Sequence, residues 1–314
     1  MPSIVSALAA SFAVIWACSP QSRAEASSER KFERRMVFVL EASEIEGLGI
    51  KSRMGDVDIA PHAEELPGWA RHGGDLPSFD PATQVLVVAR VHAKDRGRIE
   101  QASLAPEMDE RAVRFEACWP EFNRDNGNYG VDYAVRMPRV TPIEVATAMG
   151  DVEGVGVTGS AKVETGMGDV ELSGLAGSAE VKCGMGDVLV VLASGSAHRV
   201  VARSGMGDVE VVGANGGELS VGQGDLEFTP AASLSEPVSL ASGMGDVRFG
   251  VPDGLDATIE AKTAMGEVGV RGAYASIEPE AGKVRTRCRV VFAGGATAVT
   301  IKTNMGDVVI EPAR

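Results

Sequence analysis

The chain has 314 residues and a formal net charge of -14, and aromatic residues make up only 5% of it while glycine occupies 38 positions. Such a length allows one large or two medium cores, which must be built from valine, alanine and glycine rather than from rings. The acidic balance excludes nucleic acid and an anionic membrane surface as electrostatic partners, because binding either needs a basic patch.

Residues 4–17, "IVSALAASFAVIWA", form an uncharged apolar run that is short for a membrane span, and a polar stretch, "SPQSRAEASSERKFERR", follows. This pattern predicts an export signal over residues 1–24, although no basic residue precedes the run. Two processing routes fit. Cleavage after Ser22-Arg23-Ala24 would release the body, whereas Ile15-Trp16-Ala17-Cys18 resembles a lipobox in which Cys18 is acylated and Trp16 is the bulky departure. The body is therefore expected in the periplasm, on the outer membrane as a lipoprotein, or at the cell surface. Its only contact with a membrane would be that lipid. Cys118, Cys183 and Cys288 remain, an odd number without CxxC spacing, and they read as small buried residues.

Residues 25–59 hold the first strands and one copy of a repeat described below, and residues 60–140 interrupt it. Within the interruption "VLVVARVHA" (85–93), "RAVRFEACW" (111–119) and "VDYAVRMP" (131–138) read as strands. They are expected to form an antiparallel cap, because an open end of stacked strands exposes unpaired backbone groups. The segment "NRDNGNYG" between the last two is a loop.

From residue 141 to 314 the repeat dominates. Met-Gly-(Asp/Glu)-Val begins at Met54, Met149, Met167, Met185, Met206, Met244, Met265 and Met305, and "GQGDL" puts Gln223 in the Met slot. The steps from Met149 are 18, 18, 21, 17, 21 and 21 residues, then a gap of 40 in which Cys288 is a candidate for a missing copy. A fixed period near twenty marks a solenoid, whose coils bury their apolar faces only by stacking. Apolar residues stand four before Met and three after it, and a small Ser, Thr or Cys stands two before it. Period-two alternation on each side argues for strands, and its phase slips by one across Gly-Asp. A corner belongs there, with glycine supplying the backbone angles and Asp bonding nearby N–H groups. Methionine is expected to fill an interior slot, stacked on its copies. The fold class is thus all-β, a single-chain β-solenoid of coils of about 18–21 residues with an N-terminal antiparallel β cap. Its C-terminal end is expected at "DVVIEP", where Pro312 discourages a further strand.

Stacking puts Asp151, Asp169, Asp187 and Asp208 in a column, with Asp246, Glu267 and Asp307 further along. Carboxylates about 4.8 Å apart repel by about 0.9 kcal/mol at the dielectric of water. Two devices could offset this. Basic residues three before Met, at Lys51, Lys182, Arg203, Lys262 and Lys302, could face the column, or Ca²⁺ could bind at Asp151, Asp169, Asp187, Asp208, Asp246 and Asp307. One carboxylate per corner is a thin calcium site, and the nonapeptide pattern of calcium-binding solenoids is missing.

No catalytic set emerges: His62, His72, His92 and His198 have no metal spacing, and no nucleophile-elbow, Walker or dinucleotide fingerprint occurs. No organic cofactor is called for. The repeat, preceded by "KFERRMVFVLEASEIEGLGIKSRMGDVDI" and by strands ending at "YAVRMP", resembles the bacterial putative-adhesin family, domain of unknown function 4097, over about residues 31–312. That resemblance implies an exported or envelope-associated β-solenoid and brings no catalytic residues. The expected function is non-enzymatic presentation of a binding surface to an unidentified envelope component. The alternatives are a carbohydrate-active β-helix enzyme, against which the scarcity of Trp and Tyr speaks, and a calcium-stabilised structural module.

Overall fold

The computed structural model describes residues 13–15, 32–71, 76–94, 96–109, 112–118, 129–138, 141–196, 198–272, 276–279 and 286–313. Cys18 and both processing sites lie outside these, as do His72, Trp119 and most of the 123–130 loop. Among the described residues no helix is long and apolar enough to cross a membrane.

Each coil is two strands joined by the Gly-Asp corner, and the alternation read from the sequence is the alternation of burial. In strand Ala161–Met167, Ala161, Val163 and Thr165 are buried while Lys162 and Glu164 are exposed. Past the corner, in Val170–Leu175, Val170 and Leu172 are buried and Glu171 is exposed. The first strands of all coils line up in one sheet and the second strands in another, each sheet having 13 strands. Neighbouring coils pair parallel and in register, so Val163 lies between Val145 and Val181. Inner faces of the two sheets meet in one continuous core that runs from Phe38 to Ile310. A buried valine contributes about 1.5–3 kcal/mol only when both flanking coils cover it, which is why a coil cannot stand alone.

Naming each coil by its corner acid, the stack runs Asp132, Asp56, Asp151, Asp169, Asp187, Asp208, Asp225, Asp246, Asp307 and Glu267. Two features of this order depart from expectation. The chain's last coil, Thr297–Met305 with Val308–Pro312, does not end the stack; it inserts between the Asp246 and Glu267 coils. Nor is Cys288 a hidden repeat. Arg287–Phe292 runs antiparallel to Ala257–Met265, with Cys288 opposite Ala261, because no glycine corner follows it to turn the chain into a second strand. Strand Ser276–Pro279 pairs antiparallel outside it and covers that sheet's edge.

At the other end the interruption is antiparallel only in part. Ala112–Cys118 and Tyr129–Met137 pair parallel with Gly47–Met54 and Val57–Pro61, forming the Asp132 coil. Antiparallel strands close the stack beyond it: Ser103–Asp109 on one sheet, Gln84–Ala93 and then Phe32–Glu41 on the other. Ser103–Asp109 falls in a stretch that reads as polar, and its burial is correspondingly slight. Residues Ala13–Ile15 pair with the outer edge of Phe32–Glu41.

Candidate functional site

The corners build one ridge along the stack. At nine of the ten, glycine takes a φ between 119° and 145°, a region that residues with a Cβ avoid, and in the Asp132 coil Val131 stands in that place. The turn removes two backbone groups from the sheet ladder, and two columns of side chains restore their hydrogen bonds. The N–H of each corner acid donates to the Oδ1 of the preceding one, nine bonds of 2.8–3.1 Å linking ten acids from Asp132 to Glu267. The freed glycine carbonyl accepts from the residue two before Met in the next coil, as Ser204 Oγ to Gly186 O at 3.1 Å and Thr263 Oγ1 to Gly306 O at 2.8 Å. Cys183 fills that slot in its own coil, its Sγ 3.3 Å from Gly168 O. Burial pushes its thiol up, away from the reactive thiolate.

The structure thus brings together Asp151, Asp169, Asp187, Asp208, Asp246 and Asp307 and adds Asp56, Asp132 and Asp225 to them. Glu267 closes the ladder: it donates its N–H to Asp307, and among the described residues no further corner follows to need its carboxylate. The ladder therefore tolerates the longer side chain at its end. Asp132 opens it and was not evident in the sequence, because Gly130-Val131-Asp132-Tyr133 lacks the Met-Gly signature. Alignment on the Asp alone could have found it.

The basic column does not neutralise these acids. Three residues before Met is an outward position on the first sheet, and its cations meet glutamates there: Lys51 with Glu116 at 2.7 Å, Lys182 with Glu180 at 2.8 Å, Arg203 with Glu218 at 3.0 Å. Lys262 and Lys302 are also exposed on that face. Backbone N–H donors take the place of cations beside the aspartates. Replacing Asp187 by alanine should remove the acceptor for Asp208 N–H and lower stability by about 0.5–1.5 kcal/mol in urea unfolding. Asp187→Asn, which keeps the oxygen and removes one of a row of like charges, should be close to neutral.

Methionine is not interior. Met167, Met185, Met206, Met244, Met265 and Met305 are 38–62% exposed, and they make up most of the large apolar side chains that the described residues expose. Met54 and Met149 are half-buried. The reason is that the in–out alternation slips one residue earlier than the sequence suggests, with the pairing still in register. Pairing goes from Thr165 opposite Cys183 to Met167 opposite Met185, passing over Gly166, so Met turns outward with the residue before it. The ridge consequently carries a thioether column beside its carboxylate column.

A pocket of about 420 Å³ lies where the ridge meets the cap, lined by Glu33, Met54, Asp56, Arg90, His92 and Asp132 among others. Asp132 is only 3% exposed. Its Oδ2 lies 2.6 Å from Arg90 Nη2, and His92 Nε2 is 3.7 Å from its Oδ1. Burial alone would raise this carboxyl, but the adjacent His92, the Arg90 guanidinium and the Asp56 N–H together hold it below the ordinary carboxylate range. Arg90 in turn covers the Trp69 ring, 4.8 Å from its centroid, so this tryptophan is no open platform for a sugar.

For calcium the donor set is sparse. Each corner supplies one carboxylate with one oxygen already accepting a hydrogen bond, against the six to eight oxygens Ca²⁺ takes. Among the described residues no group of three or more His, Cys, Asp or Glu side chains is placed to hold a metal. The thermal midpoint should accordingly be the same in millimolar Ca²⁺ and in chelator. A large rise with calcium would reassign the ladder as a metal site.

The Toastrack DUF4097 family matches residues 135–311, more than half of the chain. The chain belongs to that family. Its ladder continues past the family match through Asp132 and Asp56. No curated protein matches the Toastrack chain. Among solved structures, a putative adhesin from Bacteroides fragilis is similar at 12% identity, covering 90% of this chain and 98% of that one, with a TM-score of 0.46. A putative cell adhesion protein from Clostridium sporogenes, also 12% identical, covers 89% and 99% with a TM-score of 0.29. A putative adhesin from Parabacteroides merdae, 9% identical, covers 89% and 96% at 0.24. The Toastrack assignment itself rests on the family match and on the stacked coils.

Proposed function

We propose that this Toastrack protein is a non-enzymatic, exported module that presents its ridge and flat sheet faces as a binding surface at the cell envelope. The observation that carries the reading is the in-register ridge, where stacked coils repeat the same exposed side chains at a fixed spacing. Such a surface suits a partner that is itself extended or repetitive, since each coil adds one more copy of a weak contact. The apolar run at residues 4–17 supports export.

Fractionation of cells producing the full chain, followed by sedimentation of the purified protein with isolated envelopes, tests this. The protein should be found in the exported or envelope fraction, and purified protein should co-sediment. A variant carrying Met167→Gln, Met185→Gln and Met206→Gln should sediment less. Retention in the cytosol, or equal sedimentation of both proteins, would sink the reading.

A further inference from the structure

We propose that the methionine column is a binding site for a soft monovalent cation, copper(I), held by thioethers of neighbouring coils with the aspartate column supplying the counter-charge. The site does not depend on any envelope partner.

Packing gives no reason for methionine in this slot. The side chain is exposed in six of the eight coils, and Gln223 shows that the corner also forms with a polar residue there. Yet Met stands at the other eight of the nine glycine corners, from Met54 to Met265 in the stack. Gln223 divides the column into two runs of adjacent coils. Met54, Met149, Met167, Met185 and Met206 form the first, and Met244, Met305 and Met265 form the second. In-register strands set neighbouring backbones about 4.8 Å apart, and an unbranched side chain with three rotatable bonds lets two or three sulfurs turn towards one ion.

The ligand type selects the metal. Thioethers are soft and neutral, so they favour copper(I) over calcium, magnesium or zinc, which prefer oxygen, imidazole or thiolate. Neutral ligands leave the ion's charge uncompensated. Two residues after every Met but Met265, which precedes Glu267, the corner aspartate has one carboxylate oxygen that the ladder bond does not use, and the protein's net charge of -14 draws cations to its surface.

Two measurements on the full chain test the proposal. In the first, copper(I) is supplied under nitrogen with ascorbate and a coloured bicinchoninate competitor. The protein should withdraw copper from the indicator. The combined variant Met149→Leu, Met167→Leu, Met185→Leu and Met206→Leu conserves volume, and it should lose the first run's share of that binding, leaving only what Met244, Met305 and Met265 hold, while keeping its far-UV circular dichroism. Asp151→Asn with Asp169→Asn and Asp187→Asn should weaken it by about 10–100-fold, as loss of outer-shell partners does at metal sites. In the second, silver(I) stands in for copper, and the methionine methyl groups are followed by NMR in methyl-labelled protein. Signals from Met149, Met167, Met185 and Met206 should move, and that of the buried Met137 should not. Failure to withdraw copper would overturn the proposal. So would binding that leaves the methyl signals still and disappears in Cys183→Ser, which would place the metal on the thiol. A stripe used only for contact with a macromolecule would show neither effect.

Discussion

Replacing Gly186 by alanine is expected to destabilise the stack by about 3–5 kcal/mol, among the largest costs of any single methyl group in this protein. Two effects act together. The residue has a φ of 142°, where an L side chain is strained by about 1–3 kcal/mol. Its Cβ would also stand 2.3 Å from the carbonyl oxygen of Gly168 and 2.6 Å from its carbonyl carbon. Both are backbone atoms, so no rotamer change can give way, and the coils would have to part. Gly254→Ala is the control: its φ is 80° with no atom within 4 Å of the new Cβ, so it should cost only the conformational strain, about 1–2 kcal/mol. Because each coil touches only its neighbours, the loss should be concentrated there. Amide exchange should quicken first in the Asp169, Asp187 and Asp208 coils, and urea unfolding should give the total. Equal costs for the two variants would mean that close stacking at the corner does not hold the coils together.

What the sequence showed and what it hid separate along a physical line. Valines three after Met and apolar residues four before it were legible because burial within a coil imposes a period of two, and the stack repeats it every 18–21 residues. Contacts between coils left subtler marks. The Ser, Thr and Cys column was visible as a pattern, but its task, bonding the glycine carbonyl of the preceding coil, appears only when coils are laid side by side. The same is true of the aspartates, whose partners are N–H groups 15 or more residues away rather than the lysines nearby in sequence. The outward place of methionine is hidden because the alternation slips at Gly166, before the Gly-Asp pair that marks the corner in the sequence. The insertion of the Asp307 coil before the Glu267 coil left two marks, the 40-residue gap between Met265 and Met305 and the glutamate at 267, but neither gives the order of the coils, since a parallel strand pairs equally well with either neighbour's repeat. The only glutamate among the corners marks the end of the ladder among the described residues.

Asp132 marks the other end, and its replacement should be the most damaging loss of a charge, about 2–4 kcal/mol for Asp132→Ala at neutral pH. The variant leaves Arg90 only the more distant Glu33, at 4.0 Å, and Asp56 N–H without its acceptor. Some of the guanidinium reaches water, its side chain being 28% exposed, which keeps the cost below that of a fully buried ion. Asp132→Asn preserves the oxygen facing Asp56 and removes only the charge, so it should lie between wild type and alanine. Acid provides the sharper test. The folded carboxyl titrates below the unfolded value of about 3.9, so its ionisation contributes stability that is fully present above that pH. The contribution disappears as pH falls through the folded value, where the wild-type group also becomes neutral. The difference in unfolding free energy between wild type and Asp132→Asn should therefore be present near neutrality and narrow below about pH 4. A gap that persisted unchanged into strong acid would show that shape rather than charge fixes this residue. No gap at neutral pH would show that the Arg90 pair adds nothing to the joint between cap and stack.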